Sequence, residues 1–194
     1  TGDARVSEIA FSLGAQVIQE EEERGETEAV LFALAQMKQR GICTVLVIPA
    51  DIPLVCSSDI ELLLEHASGD NATAPFVLLV SSHDRMGTNA LLLSPPDIIR
   101  LRFGYDSFSY HLGEVVAQGL SLRVLENKRI GLDIDEPKDL GRFMQFVARF
   151  RGSCSPTRHD NRARARVNAG ETYNRVLQMG VIRGLQDAHR FGRL

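Results

Sequence analysis

Apolar and polar positions along this chain change their period several times, and each change marks an element. Val6, Ile9, Ala10 and Leu13 recur at helical spacing, and Gly14 ends that run before the short stretch "AQVIQ" (15–19), which reads as a strand. A second helix is expected from about Thr27 to Arg40, with Val30, Leu34 and Met37 facing inward and Gly41 as its stop. "CTVLVI" (43–48) is an unbroken apolar run of strand length, the pattern of a strand covered on both faces. Ser58 and Glu61 have the spacing of a capping box, which predicts a helix from there to His66. "FVLLVSS" (76–82) and "NALLL" (89–93) read as two further strands, and Ser107 opens a helix that Gly119 closes. "LRVL" (122–125) and "GLDI" (131–134) follow as short strands, and Pro137 stands early in a last helix running through Phe150.

Strands separated by helices of this length predict an α/β domain of three αβα layers around a mainly parallel sheet. The 194 residues, 44% hydrophobic and 24% charged, suit one globular domain with an appendage. No apolar run approaches the roughly 18 residues of a membrane span, and nothing resembles a secretory leader, so a cytoplasmic protein without a membrane partner is expected. Cys43, Cys56 and Cys154 are too scattered for a metal knuckle or a disulfide scaffold and read as structural thiols.

Charge divides the chain into two parts. Residues 1–146 carry 12 Lys/Arg against 22 Asp/Glu, a net of −10, whereas residues 147–194 carry 10 Arg against 3 acids, a net of +7. The first part is read as the folded, acidic domain. The second is a basic tail in which "RGSCSPTRHDNRARARVNAG" (151–170) reads as disordered and "ETYNRVLQMGVIRGLQDAHRF" (171–191) as a short helix. The tail lacks aromatic interleaving, which favours a solvated arm over a nucleic-acid reader, and it is assigned no function.

In α/β sheets, ligands bind outside the carboxyl ends of strands, which directs the search to the residues just after them. "PADIP" (49–53) puts Asp51 there, as a turn residue or as a ligand. "DIDEP" (133–137) sets Asp133 and Asp135 two apart, on one side of an extended segment; Asp135 can also cap the helix at Pro137. Together the three carboxylates are hard oxygen donors of the kind magnesium takes, with positions left for substrate phosphates, which points to phosphoryl or nucleotidyl transfer. A second cluster is "GTN" (87–89) with Gly104 and Ser107 at the entry to a helix. There Gly87 lets a backbone approach a ligand, Thr88 and Asn89 add polar groups, and the helix start favours an anion. Ser107 can equally be an ordinary N-cap, and His83 and His111 read as polar lining or helix surface rather than as general bases.

"PADIPL" (49–54), "GTNALLLSPP" (87–96), "FGYDSFSYHL" (103–112) and "GLDIDEPKDL" (131–140), in this order, resemble the 2-phospho-L-lactate guanylyltransferase family of deazaflavin coenzyme (F420) biosynthesis, which includes enzymes acting on phosphoenolpyruvate and 3-phospho-D-glycerate. The resemblance covers residues 1–146. It implies a fold of the nucleotide-diphospho-sugar transferase type and a reaction in which a phosphate oxygen of the acid attacks the α-phosphorus of GTP and pyrophosphate leaves. It implies Asp51, Asp133 and Asp135 as the catalytic, Mg2+-binding aspartates. Thr88, Gly104 and Ser107 match positions that hold the acid, with Asn89 beside them, and Gly25 falls near the nucleotide. Two departures accompany the match. "TGDARV" (1–6) resembles the end of the family's second strand, which implies that the first strand and its Lys/Arg phosphate loop are missing from this sequence. "ERGETEAV" (23–30) stands where many members have Gly-Leu-Asn, leaving base recognition open. The alternatives are another nucleotidyltransferase of the same fold, with a sugar phosphate or molybdopterin as acceptor, and a truncated, non-catalytic relative.

Overall fold

The computed structural model describes residues 2–67, 75–150 and 181–182. In chain order the elements are α1 (Ala4–Ser12), α2 (Glu26–Gln39), β1 (Val45–Val47), α3 (Ser57–Ala67), β2 (Phe76–Ser81), β3 (Thr88–Ser94), α4 (Ser107–Ala117), β4 (Ser121–Leu125), α5 (Pro137–Phe150) and β5 (Val181–Ile182). Cys154 and most of the basic tail lie outside the described residues. Within the tail's expected helix, Val181 and Ile182 instead form a strand, paired parallel with Leu46 and Val47 of β1. No helix among the described residues is long and apolar enough to cross a membrane.

The strands make one sheet in the order β4-β2-β3-β1-β5. It is mixed rather than mainly parallel: β2 runs parallel to β4 and β1 to β5, but β3 is antiparallel to both β1 and β2. The cause is the connection between β2 and β3. Residues 82–87 are enough for a hairpin, whereas a parallel crossover needs about a dozen residues or more.

Alternation along the central strands splits their side chains between two cores. Val45, Val47, Val77, Leu79, Leu91 and Leu93 face Val30, Ala33, Leu34 and Met37 of α2 and Val115 of α4. Leu46, Leu78, Val80, Ala90 and Leu92 face the other way, against Leu63 of α3, Ile52 and Ile130. Apolar side chains on both faces of β1, β2 and β3 explain why those stretches read as unbroken hydrophobic runs. The expected three-layer α/β arrangement is therefore present, with the inward positions of α2 as the periodicity assigns them.

Three local expectations give way to the structure. "AQVIQ" and "GLDI" run without strand pairing; Ile18 still packs on the first core, so apolarity marked burial there without marking a ladder. α1 forms and is capped by Asp3, whose carboxylate accepts from Val6 N–H at 2.9 Å, yet none of its residues is buried, with Ile9 and Leu13 exposed. A helical period names a face, and it does not supply a partner for it.

The start of α3 also differs. Ser58 and Glu61 do not box its first turn; Asp59 reaches back to Cys56, accepting from its N–H at 3.0 Å and from its Sγ at 3.1 Å. Asp59 is fully buried and takes further hydrogen bonds from Asn127 Nδ2 at 2.7 Å and from Arg129 Nε and a terminal guanidinium nitrogen at 2.8 and 2.6 Å. Burial alone would raise this carboxyl, but the Arg129, Asn127 and Cys56 donors outweigh it and hold the pKa at about 2. The cluster ties the loop after β4 to α3.

A carboxyl depressed in the folded state stabilises above its unfolded pKa and loses that contribution as pH falls through the folded value. Asp59→Asn is therefore expected to cost about 2 kcal/mol at pH 7 in urea unfolding. The difference from the parent should shrink between pH 4 and pH 2. A pH-independent difference would assign the loss to packing instead.

Candidate active site

β1 and β2 end, and β3 begins, at the same edge of the sheet, since β3 runs against both. The turn after β1 carries Asp51, the β2–β3 hairpin carries Thr88 and Asn89, and the loop after β4 carries Asp133 and Asp135. Searching after strands found Asp51. Thr88 belongs to the same edge because it precedes a reversed strand.

The hairpin is closed by polar side chains that the sequence reading passed over. Ser82 Oγ donates to Asp84 at 2.6 Å and accepts from Gly87 N–H at 2.8 Å, and Asp84 accepts in turn from Met86 N–H at 3.0 Å. A Cβ on Gly87 would sit 3.2 Å from Ser82 Oγ and 3.4 Å from Asn89 Oδ1. Gly87 thus lets the hairpin close tightly on Ser82, and it also lines the cavity described below. The signal available in the sequence was the Ser-x-Asp spacing in a short turn.

Backbone bonds join the acid-bearing segments. His83 N–H donates to Gly131 O at 2.8 Å, and Ile134 N–H donates to Asp51 O at 3.1 Å. Asn89 Nδ2 donates to Ile130 O at 2.9 Å, and the same side chain bonds Asp133. At Gly131 the segments meet so closely that a Cβ would lie 3.0 Å from Asn127 O, 3.4 Å from Ser81 O and 3.6 Å from His83 N.

One cavity of about 390 Å³ gathers most of the expected residues: Asp51, Asp133 and Asp135 line it together with Thr88, Asn89, Gly104 and Ser107. Gly25 is not among its lining residues; it stands at the start of α2 with φ 97°, a turn position that favours glycine, and its neighbour Glu26 reaches the cavity instead. Asn89 lines the cavity as expected, and its amide also braces Ile130 and Asp133. Asp135 is not the cap of α5. Glu136 precedes that helix, with its N–H held by Asp139 at 3.0 Å. Nor does Ser107 cap α4: Asp106 precedes that helix, and Ser107 Oγ accepts from Thr88 N–H at 3.0 Å.

The carboxylates sit uneasily together. Asp51 is pushed up from the ordinary carboxyl range by loss of surrounding water, and then by the charges of Asp135 and Asp133. Asp133 is raised by burial and by Asp135, partly offset by the Asn89 hydrogen bond and by His83, whose Nδ1 is 4.0 Å from Asp133 Oδ1. Among the described residues, no three His, Cys, Asp or Glu side chains gather tightly enough to hold a metal ion by themselves. Carboxylates that repel one another at the wall of a polar cavity fit a hard cation that completes its shell with phosphate oxygens and water.

Asp84, Asp106 and Glu26 add further carboxylates to the lining, and neutral groups meet at Thr88. Thr88, Ser107 and His111 are buried and bonded to one another; of the two places expected for His111, polar lining or helix surface, burial excludes the surface. Gly104, at φ 98°, turns the chain into the loop before α4.

Residues 1–149 match the family described as "Guanylyl transferase CofC like". Similar curated proteins include the phosphoenolpyruvate guanylyltransferase of Conexibacter woesei, 31% identical over 81% of this chain and 70% of its own. That of Rubrobacter xylanophilus is 35% identical over 72% of this chain and 66% of its own. The 2-phospho-L-lactate guanylyltransferase of Methanothermobacter thermautotrophicus is 32% identical over 84% of this chain and 73% of its own. Among solved structures, one from Desulfovibrio desulfuricans G20 attributed to a nucleotide-diphospho-sugar transferase superposes with TM-score 0.59 at 17% identity, covering 79% of this chain and 67% of that one. CMP:2-keto-3-deoxy-manno-octonic acid synthetase complexed with CTP superposes with TM-score 0.51 at 14% identity, covering 77% and 79%. At those identities the two structures bear on the fold alone.

Proposed function

Since the chain belongs to the CofC-like guanylyl transferase family, we propose that it transfers the guanylyl group of GTP to a phosphorylated three-carbon acid in coenzyme F420 biosynthesis. The observation that supports this most is the shared cavity, lined both by Asp51, Asp133 and Asp135 and by the Thr88, Gly104 and Ser107 corner. A phosphate oxygen of the acid forms a bond to the α-phosphorus of GTP, and the bond from that phosphorus to the bridging oxygen breaks, releasing pyrophosphate. No protein nucleophile is needed, because the acid supplies one.

The chain's own part is positioning and charge management. Thr88 donates to the acid's anionic groups, and Gly104 and Ser107 complete that corner. Asp51, Asp133 and Asp135 are the residues to hold Mg2+, which when bound would neutralise phosphate charge at the point of transfer. Asn89, through Asp133 and Ile130, keeps the acid loop against the hairpin. Glu26 reaches the cavity where Gly25 does not, and takes the position nearer the nucleotide. Both substrates are multiply charged phosphates, and a cytoplasmic site of action goes with them.

Pyrophosphate release from GTP, CTP and UTP, each with phosphoenolpyruvate, 2-phospho-L-lactate, 3-phospho-D-glycerate or a sugar 1-phosphate, tests this reading. The expected result is release from GTP with at least one three-carbon acid, dependent on magnesium. Release only with the sugar phosphate, or only from a pyrimidine nucleotide, would move the chain to another transferase of the same fold.

A further inference from the structure

His111 is fully buried in α4, and nothing in the proposed transfer uses it as an acid or base. Its two ring nitrogens nevertheless have different neighbours. Nε2 lies 3.1 Å from the backbone nitrogen of Arg102, which can only donate. Nε2 therefore accepts, and the proton of the neutral ring resides on Nδ1. Nδ1 is 2.9 Å from Thr88 Oγ1, so the ring donates to the threonine hydroxyl.

That donation decides what Thr88 can do. Its oxygen accepts from His111, and Ser107 Oγ stands 3.4 Å away as a second, longer donor to it. Since Ser107 Oγ donates to Thr88 Oγ1 in that contact, and accepts from Thr88 N–H, it is not the acceptor for the Thr88 hydroxyl proton. The Thr88 proton is left to point into the cavity that Thr88 lines. The ring is itself held edge-on between Phe103 and Tyr110, at centroid distances of 5.3 and 5.8 Å, which fixes its plane.

The geometry points to His111 as a positioning residue: locked with its proton on Nδ1, it turns the Thr88 hydroxyl into a donor aimed at the acid substrate's anionic group. The inference rests on the reading that Thr88 meets the acid. Burial, with the charge of Arg102 nearby, lowers the His111 pKa to about 4, so the ring stays neutral through the working range. A protonated ring would turn Nε2–H against the Arg102 N–H and lose that bond.

Nitrogen NMR of the ring in the ligand-free, full-length protein tests the lock without reference to activity. A proton on Nδ1, unchanged between pH 6 and pH 8, is expected; a proton on Nε2 overturns the inference. Kinetics then test the consequence. His111→Asn keeps an amide N–H at the Nδ1 position and is expected to leave the KM for the acid within about threefold, whereas His111→Gln keeps only the Nε2 position and should raise it about tenfold with the KM for GTP unchanged. Because the histidine acts through Thr88, Thr88→Val with His111→Gln should be no worse than Thr88→Val alone. Additive losses, or equal losses toward GTP and acid, would make His111 a packing residue and overturn the inference. If the parent protein turns over none of the acids, the substrate reading fails, while the nitrogen spectrum still decides the tautomer.

Discussion

Asp133→Ala is expected to lower kcat/KM for the transfer by about a thousandfold, which corresponds to about 4 kcal/mol of lost transition-state stabilisation. Of the three aspartates, Asp133 is the best placed for the loss to be read cleanly. It is half-buried, braced by the Asn89 amide, and carried on a loop fixed to both the hairpin and the Asp51 turn. Its carboxylate is also held against its preference: burial and Asp135 both push its pKa up.

A carboxyl raised in the folded state destabilises the fold once ionised, and this penalty is relieved as pH falls below the folded pKa. Removing Asp133 should therefore leave the thermal midpoint at pH 8 unchanged or higher, while activity collapses. Thermal unfolding and steady-state kinetics on the same preparation make the comparison. Turnover equal to the parent would refute the role of Asp133 in holding the cation, and a midpoint that falls along with activity would make the residue structural.

Thr88→Val should raise the KM for the acid about 10- to 100-fold, the range for losing a hydrogen bond to a charged group, and leave the KM for GTP nearly unchanged. Valine keeps the shape of the side chain, so the cavity wall stays where it is. The hydroxyl is nevertheless shared with buried neighbours, His111 Nδ1 at 2.9 Å and Ser107 at 3.4 Å. Its loss leaves the His111 donor unpaired, which should cost about 1–3 kcal/mol of stability in urea unfolding. Steady-state titration of each substrate separates the two effects, since an unpaired donor inside the protein lowers stability without choosing between substrates. A rise confined to the GTP KM would place Thr88 on the nucleotide side.

Much of this arrangement could be read before the fold. The runs at 43–48, 76–82 and 89–93 named the three central strands because each is covered on both faces, and the strand-end rule led to Asp51 and to the Asp133 and Asp135 pair. Strand direction was not legible from apolar runs alone. It lay in the six residues between Ser81 and Thr88, too few for a parallel crossover. Ser82 and Asp84 were missed because their work is local hydrogen bonding inside a turn, which leaves no period.

"GLDI" was taken for a strand because a buried extended segment and a paired one share the same alternation; only the backbone bonds to Asp51 and His83 tell them apart. The role of His111 depended on which partner each nitrogen meets, with Thr88 and Arg102 lying 23 and 9 positions away in the chain. Spacing along the sequence carries no trace of that.

The close meeting at Gly131 bears on how the sequence can change. At Gly131 itself the hairpin and the acid loop are joined by main chain: Gly131 N–H donates to Asn127 O at 2.7 Å, His83 N–H donates to Gly131 O, and a Cβ would press on Asn127 O. A join made of backbone does not depend on the identity of the side chains around it. An exposed neighbour such as Lys128 is therefore open to substitution without moving Asp133, while the one residue without a side chain is not. Divergent relatives are expected to vary around this point and to keep the glycine, so that the spacing between the donor corner and the carboxylates survives drift in both loops.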